Sequence, residues 1–297
     1  MAAPAPFPSA ALRAWYEVHG RHGLPWRLTR DPYRVLVSEF MLQQTQVVRV
    51  LPMYAAWVDR WPSAHDLAGA LRADVIRAWG GLGYNRRAVR LHEAAAAFDR
   101  DGGRVPLGVD ALQARPGIGP YTARAVACFA GNARVPLLEA NTKRVLARHR
   151  LGCEVAAGIR PRLLEAAATD ALPEAGARDH NLALMDLGAL VCRAVRPVCD
   201  SCPAEEGCAW RAAGSPTTVL RARRPSPRFE DTARYARGRI VAALRRRDAL
   251  STAEVEATLP EAHRVRARDH LAALCEEGLV EPDGERWSLA GGCLLRG

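Results

Sequence analysis

CRAVRPVCDSCPAEEGC, residues 192–208, sets four cysteines within seventeen residues: Cys192, Cys199, Cys202 and Cys208. The gaps between them are six, two and five residues. Four thiolates this close along a chain can close around one metal centre. Both a tetrahedral zinc and an iron–sulfur cluster take four Cys ligands. Zinc ribbons and fingers usually pair their ligands as two short knuckles, about a dozen or more residues apart. Here a single knuckle, Cys199 and Cys202, is flanked on each side by one cysteine in a compact loop. That uneven spacing favours a cluster and leaves zinc as the alternative.

The other four cysteines, Cys128, Cys153, Cys275 and Cys293, are scattered, so the eight do not form a disulfide framework. A reducing cytoplasm suits both free thiols and a cluster. A chain of 297 residues is long enough for two or three cores. With 49% hydrophobic and 25% charged residues it has the composition of a folded protein. Net charge is +10, and the cations are mostly arginine, which suits bidentate phosphate contacts. Such a balance points to nucleic acid, although a coding bias toward Arg would produce it too. No apolar run is long enough to span a membrane. The opening MAAPAPFPSA lacks a charged start and an apolar core, so it reads as a disordered tail and not a signal peptide. The expectation is a cytoplasmic monomer.

Helical periodicity runs from Ser9 to about Gly214. Ser9 is the expected cap of a first helix that Gly20 ends. Further helices are expected at roughly 32–43, 46–60, 66–79, 86–100, 108–114, 120–130, 140–151, 161–170 and 178–190. Gly, Pro or Asp punctuates the joints, as in GGLGYN and RPGIGP. At 215–231 the chain turns Pro-, Ser- and Arg-rich, which reads as a basic linker. Beyond it come a helix at 232–247, a second over STAEVEATL capped by Ser251 or Thr252, and a third over AHRVRARDHLAALCEEG. A hairpin turning at Asp283-Gly284 follows. Three helices and a hairpin form a winged-helix pattern, a module that serves either DNA binding or protein docking.

The segment ARPGIGPYTARAVACFA, residues 114–130, has the pattern of a helix-hairpin-helix. Gly117 and Gly119 remove side chains where the backbone must turn and approach a ligand. The next helix begins at Pro120 with its first amides free, which is a ready site for a DNA phosphate.

Seven runs together carry a resemblance. They are LPWR (24–27), DPYRVLVSEFMLQQTQV (31–47), GLGY (81–84), PGIGPYTARAV (116–126), NTKRVLAR (141–148), ALMDLGALVC (183–192) and the cysteine loop. From about Trp15 to Trp210 the chain resembles the MutY-type adenine DNA glycosylases of the helix-hairpin-helix (endonuclease III) superfamily, in a short form without a Nudix-like C-terminal domain. The resemblance implies a mainly α fold: a six-helix barrel with the helix-hairpin-helix, plus a helical [4Fe-4S] domain. A small C-terminal winged-helix-like module is added to it. The implied division is a tail and helix packing on the cluster domain (1–30), the barrel (31–139), the cluster domain (140–214), the linker (215–231) and the module (232–297). It also implies a [4Fe-4S] cluster on Cys192, Cys199, Cys202 and Cys208.

Excision of a base passes through an oxocarbenium-like sugar. An acid must protonate the departing purine and a carboxylate must stabilise the cation. By resemblance, Glu39 is the general acid, and desolvation on an apolar helix is expected to keep it partly protonated. The second carboxylate is Glu139, where the family usually carries Asp; the extra methylene adds about 1.3–1.5 Å of reach. Asn141 is expected to support that loop or cap the following helix. Tyr121 stands where lyase-type relatives carry a nucleophilic Lys, which implies a monofunctional enzyme using water. Trp26, Arg27, Leu42 and Tyr121 are expected around the base pocket. Leu182 replaces the Gln or Glu that related enzymes place near the amino edge of adenine.

Gln43, Gln44 and Tyr84 are expected to enter the duplex and fill the space that the flipped base leaves. Asn85 departs from the second Tyr often found there. The expected partner is double-stranded DNA with a mispaired or modified base. The expected function is base excision repair of adenine opposite 8-oxoguanine or G. The alternatives are a glycosylase for a modified adenine such as N6-methyladenine, or another damaged base, and a non-catalytic Fe–S DNA-binding regulator.

Overall fold

A computed structural model describes residues 6–217 and 227–291. The start of the N-terminal tail, the middle of the expected linker and Cys293 lie outside the described residues. The helices in chain order are α1 (Ser9–His19), α2 (Pro32–Leu42), α3 (Val47–Arg60), α4 (Ala64–Ala68), α5 (Arg72–Ala78), α6 (Arg86–Arg100), α7 (Val109–Gln113) and α8 (Pro120–Gly131). Then follow α9 (Ala140–Leu151), α10 (Pro161–Ala171), α11 (Ala177–Leu190), α12 (Ala209–Ala212), α13 (Ala233–Leu244), α14 (Thr252–Thr258), α15 (Glu261–Arg264) and α16 (Ala267–Glu276). The strands are β1 (Ala249–Ser251), β2 (Val280–Asp283) and β3 (Arg286–Leu289). The fold is mainly helical, and no helix among the described residues is long and apolar enough to cross a membrane.

Three local expectations need correction. Ser9 does not cap α1: Pro8 takes that position, and the Ser9 hydroxyl donates instead to the Ala171 carbonyl at 3.3 Å. The single helix expected at 66–79 is two. Ser63 and Asp66 close a capping box on α4, Gly69 ends it, and extended Leu71 restarts the chain into α5. The third tail helix is likewise divided, into α15 and α16.

The chain divides into two units. The first comprises 1–35, 107–110 and 119–222. In it α9 and α11 pack closely, because Gly188 on α11 leaves room for Asn141. A Cβ at Gly188 would meet the Asn141 Cβ at 2.6 Å and its backbone at 3.0 Å. Backbone cannot swing aside as a side-chain tip does. Gly188→Ala is therefore expected to cost about 1–3 kcal/mol, read as a lower urea midpoint at unchanged slope.

The second unit comprises 36–106, 111–118 and 223–297. Trp57 stacks edge-on against Trp61 and Trp79 beneath α3 and α5. The C-terminal module has β-order β1-β3-β2, all antiparallel, with Leu250 opposite Trp287 and Val280 opposite Leu289. Ser251 caps α14 in a capping box with Glu254. One apolar core holds Ile240, Leu244, Leu271 and Leu274 of the module together with Ala73, Ile76 and Val89 of α5 and α6. Arg245 reinforces this junction, donating to the Ile76 carbonyl and to Asn85 Oδ1, each at 2.9 Å.

Candidate active site and cysteine loop

α2 carries Glu39, 6% exposed between Ser38 (1%) and Phe40 (1%). The helix ends at Leu42, which is half-buried like Gln43, and Gln44 is exposed. Gln44 has φ of 54° and Tyr84 has φ of 46°, both in the left-handed region that side chains disfavour. Such conformations persist only where the surroundings enforce them. The enforcing residue is Arg87, which no sequence motif singles out. Its guanidinium donates to the Phe40 carbonyl at 2.7 Å, Met41 at 3.1 Å, Leu82 at 3.1 Å and Gly83 at 3.1 Å. It thereby ties the end of α2 to the turn that presents Tyr84. Trp79 Nε1 adds a bond to the Gly83 carbonyl at 3.1 Å. Burial pulls Arg87 down to about 10, which still leaves it charged at neutral pH.

Between α7 and α8, Gly117 has φ of +73°, and a Cβ there would meet the Arg90 Cβ at 2.6 Å. Glycine is thus doubly required at this turn. Gly119 is the extended N-cap of α8, with Pro120 next, and a Cβ there would meet nothing within 4 Å. Tyr121 follows, half-buried, in the first turn of α8.

Glu139 is the N-cap of α9, so of the two roles expected of Asn141, supporting the loop or capping the helix, the cap falls to Glu139. Glu139 Oε1 accepts from the Thr142 amide at 2.9 Å, and Oε2 accepts from the Asn141 amide at 2.8 Å. Thr142 Oγ1 returns a bond, accepting from the Glu139 amide at 2.9 Å. The carboxylate reaches these amides because the extended backbone at Glu139 turns its side chain along the first helical turn. Asn141 Oδ1 accepts from Arg144 at 2.8 Å, which does support the loop.

Trp26, 7% exposed, sits in a short 3₁₀ turn, Pro25–Arg27. Arg27 is engaged inside the unit. It forks onto Asp186 of α11 with bonds of 2.6 and 2.9 Å, and Arg21 donates to the same carboxylate from its amide at 2.8 Å and its Nε at 2.7 Å. The Asp186 side chain is wholly buried. Burial pushes its pKa up, but the bonds and charge of Arg27 and the bonds from Arg21 outweigh that and hold it below the usual value. Leu182, on the same helix, is 3% exposed. Asp186 was legible only as part of the ALMDLGALVC run, with no local sign of its partners.

Cys192, Cys199, Cys202 and Cys208 all line one cavity of about 30 Å³, closed by Val191, Pro197 and Trp210. No three His, Cys, Asp or Glu side chains among the described residues converge tightly enough to hold a single ion. The thiols thus ring a cavity. Burial pushes the Cys202 thiol up to about 11 and also raises Cys199 and Cys208. Two arginines one turn apart on α9 fasten this loop. Arg144 donates to the Cys192 carbonyl at 2.7 Å and the Gly188 carbonyl at 2.6 Å. Arg148, 2% exposed, donates to the carbonyls of Arg193 at 2.7 Å and Ala194 at 3.2 Å. Its Nη1 lies 3.5 Å from Cys192 Sγ, and its guanidinium stacks on Trp210. Among the described residues Arg148 has no carboxylate partner. A buried cation beside Cys192, one of the four thiols around the cavity, fits an anionic thiolate centre.

The model of the HhH-GPD superfamily of base excision DNA repair proteins matches residues 37–169. The adenine DNA glycosylase of Mycolicibacterium smegmatis is 44% identical over 94% of this chain and 95% of its own length. Its human counterpart is 39% identical over 68% of this chain and 39% of its own. A solved thermostable thymine-DNA glycosylase superposes with a TM-score of 0.64 at 29% identity, covering 69% of this chain and 95% of that one. An endonuclease III–DNA complex shares the fold, with a TM-score of 0.58 at 19% identity over 69% of this chain and 94% of that one. Glu39, Gly117 and Glu139 all fall inside the matched segment, and the chain belongs to the adenine DNA glycosylases of the HhH-GPD superfamily.

Proposed function

We propose that the chain is a monofunctional glycosylase of base excision repair that hydrolyses the N-glycosidic bond of a flipped adenine, mispaired with 8-oxoguanine or G in duplex DNA. The observation that carries this reading is Glu39, a carboxyl 6% exposed on an apolar helix that runs straight into exposed Gln44. Gln43, Gln44 and Tyr84 enter the duplex and fill the vacated space. The backbone at Gly117 and Gly119 and the free amides opening α8 receive a DNA phosphate. Trp26, Tyr121 and Leu182 of the first unit line the base pocket; Arg27, spent on Asp186, positions Trp26 beside it.

Protonated Glu39 gives its proton to a ring nitrogen of adenine as the glycosidic bond breaks, and the bonding pair leaves with the base. The Glu139 carboxylate stabilises the sugar cation through Oε1, which keeps a lone pair beyond its bond to the Thr142 amide, whereas Oε2 accepts from both the amide and Nδ2 of Asn141. Water adds to the anomeric carbon and gives up its proton, leaving an abasic site on an intact strand. Tyr121 offers no amine for a Schiff base.

Cys192, Cys199, Cys202 and Cys208 hold a [4Fe-4S] cluster, which when bound supplies an anionic cross-link for the loop. Arg144 and Arg148 carry that order into α9, the helix that Glu139 caps. Purified protein should be yellow-brown, with about four irons per chain. One zinc per chain and no iron would contradict this assignment.

A modified adenine is the second reading, and apolar, buried Leu182 favours it: Leu cannot bond an amino edge but tolerates a methyl on it. Base release from A:8-oxoguanine, A:G, N6-methyladenine:T and hypoxanthine:T duplexes separates the two. The expected result is release from the first two; release from the third alone establishes the second reading. Glu139→Asp sharpens the same comparison. Asp is a preferred N-cap, so α9 should stay capped and activity on A:8-oxoguanine be retained or raised. Glu139→Ala should lose about 1 kcal/mol of stability along with the activity. A rebuilt pocket predicts instead that Glu139→Asp falls about 10²-fold.

A further inference from the structure

A cavity of about 670 Å³ lies within the second unit, and only one of its walls belongs to the duplex contacts proposed above. One wall is Gln43, Gln44 and Tyr84; the other is Phe229, Arg234 and Arg237 at the start of the C-terminal module. We propose that Phe229 and Arg234 of the module extend the duplex contacts of Gln43, Gln44 and Tyr84 into a nucleotide-binding subsite for the DNA strand opposite the target adenine. The proposal rests on the reading of the chain as a DNA glycosylase.

Charge, aromatic surface and rigidity all point to a nucleotide. Five arginines line the groove, Arg49, Arg86, Arg87, Arg234 and Arg237, against one carboxylate, Glu277. Arg87 is consumed by carbonyls, and Arg237 pairs with Glu277. Arg86 and Arg234 are exposed and have no carboxylate partner among the described residues. The Arg234 guanidinium lies between two rings, 4.8 Å from the Tyr84 centroid and 4.9 Å from that of Phe229, and its Nη1 donates to the Tyr84 hydroxyl. An arginine stacked in this way keeps its remaining donors in one plane, suited to a phosphate or a base edge. An acidic protein segment would satisfy the arginines but would make little use of the two rings. A base uses both.

The groove is also built to stay open. The module shares its core with α5 and α6, so its wall is not a loosely tethered domain. Arg245 bonds Asn85, the residue after Tyr84, and so fixes the end of α13 against the wedge loop. Tyr84 and Gln44, the two non-glycine residues in left-handed backbone on this wall, both face the same cavity. A volume of this size accommodates a mononucleotide.

The test uses the full chain and an A:8-oxoguanine duplex, with Glu39→Gln as the background so that binding is read without excision. Arg234→Ala should weaken duplex binding about tenfold and lower the salt slope by about 0.9. Arg268→Ala removes an exposed charge of the same module outside the groove and should change affinity less than twofold. With 2-aminopurine opposite the target adenine, the fluorescence change on binding should shrink for Phe229→Ala and Arg234→Ala but not for Arg268→Ala. Both groove residues are exposed enough for the variants to fold, and unchanged circular dichroism checks that. Equal effects of Arg234→Ala and Arg268→Ala, or no effect of Arg234→Ala, would overturn the proposal and leave the groove to a protein partner. Failure of the functional reading looks different: wild-type protein would then release no adenine, whatever Arg234 does to binding.

Discussion

Glu39→Gln should reduce adenine release by at least about 10²-fold and up to about 10⁴-fold, while duplex affinity stays within a factor of about two. The amide is isosteric with the carboxyl, so the buried packing of α2 beside Ser38 and Phe40 is preserved. It has no acidic proton to pass to the purine, and without protonation the leaving group departs as an anion. Single-turnover release on A:8-oxoguanine, paired with anisotropy on the same duplex, separates the two effects. Equal loss of binding and release would mean that Glu39 supports the fold and not the chemistry.

Asp186→Ala should be the most damaging change in the first unit, costing about 3–5 kcal/mol. The substitution leaves Arg27, whose side chain is 6% exposed, as an unpaired buried cation, and removes both bonds that seat Arg21. The turn carrying Trp26 then loses its anchor, so activity should fall with stability. The pH dependence distinguishes this carboxylate. Its folded pKa lies below the unfolded one, so the unfolded chain binds the proton first. The stabilisation is complete above the unfolded value, about 3.9, and is lost as pH falls through the folded value. Urea midpoints for wild type and Asp186→Ala should therefore differ by a constant amount from about pH 7 to 5 and converge in stronger acid. A difference that changes between pH 7 and 5 would assign the coupling to another group.

Much of this organisation is legible along the chain because local chemistry marks it. Asn85 before α6, Pro120 opening α8 and Gly152 after α9 punctuate helices whose observed ends fall within about one residue of those expected from pattern alone. The break between α4 and α5 escaped the pattern. Apolar residues continue through Gly69-Ala70-Leu71 as though one helix ran on, and the reciprocal Ser63–Asp66 cap competes with that periodicity. Strand β1 escaped too, because three residues make no alternation; it exists only because β3 pairs with it.

The site divides in the same way. Glu39, Glu139 and the four cysteines stand in distinctive runs, whereas the groups that hold them do not. Arg87, Arg148 and Arg234 are single arginines in an arginine-rich chain. What sets them apart is the partner each one finds: the carbonyls ending α2, the cysteine loop, and the rings of Tyr84 and Phe229. Apart from Phe229, which is close to Arg234 along the chain, those partners lie dozens of residues away, and only folding brings them together.

The most direct test of the account is a single-turnover reaction on an A:8-oxoguanine duplex, with each time point split and half treated with alkali. The account predicts free adenine in one-to-one proportion to alkali-revealed strand breaks, with no breaks before alkali. Strand breaks in the untreated half, or a duplex that keeps its adenine throughout, would contradict a monofunctional adenine glycosylase built on Glu39.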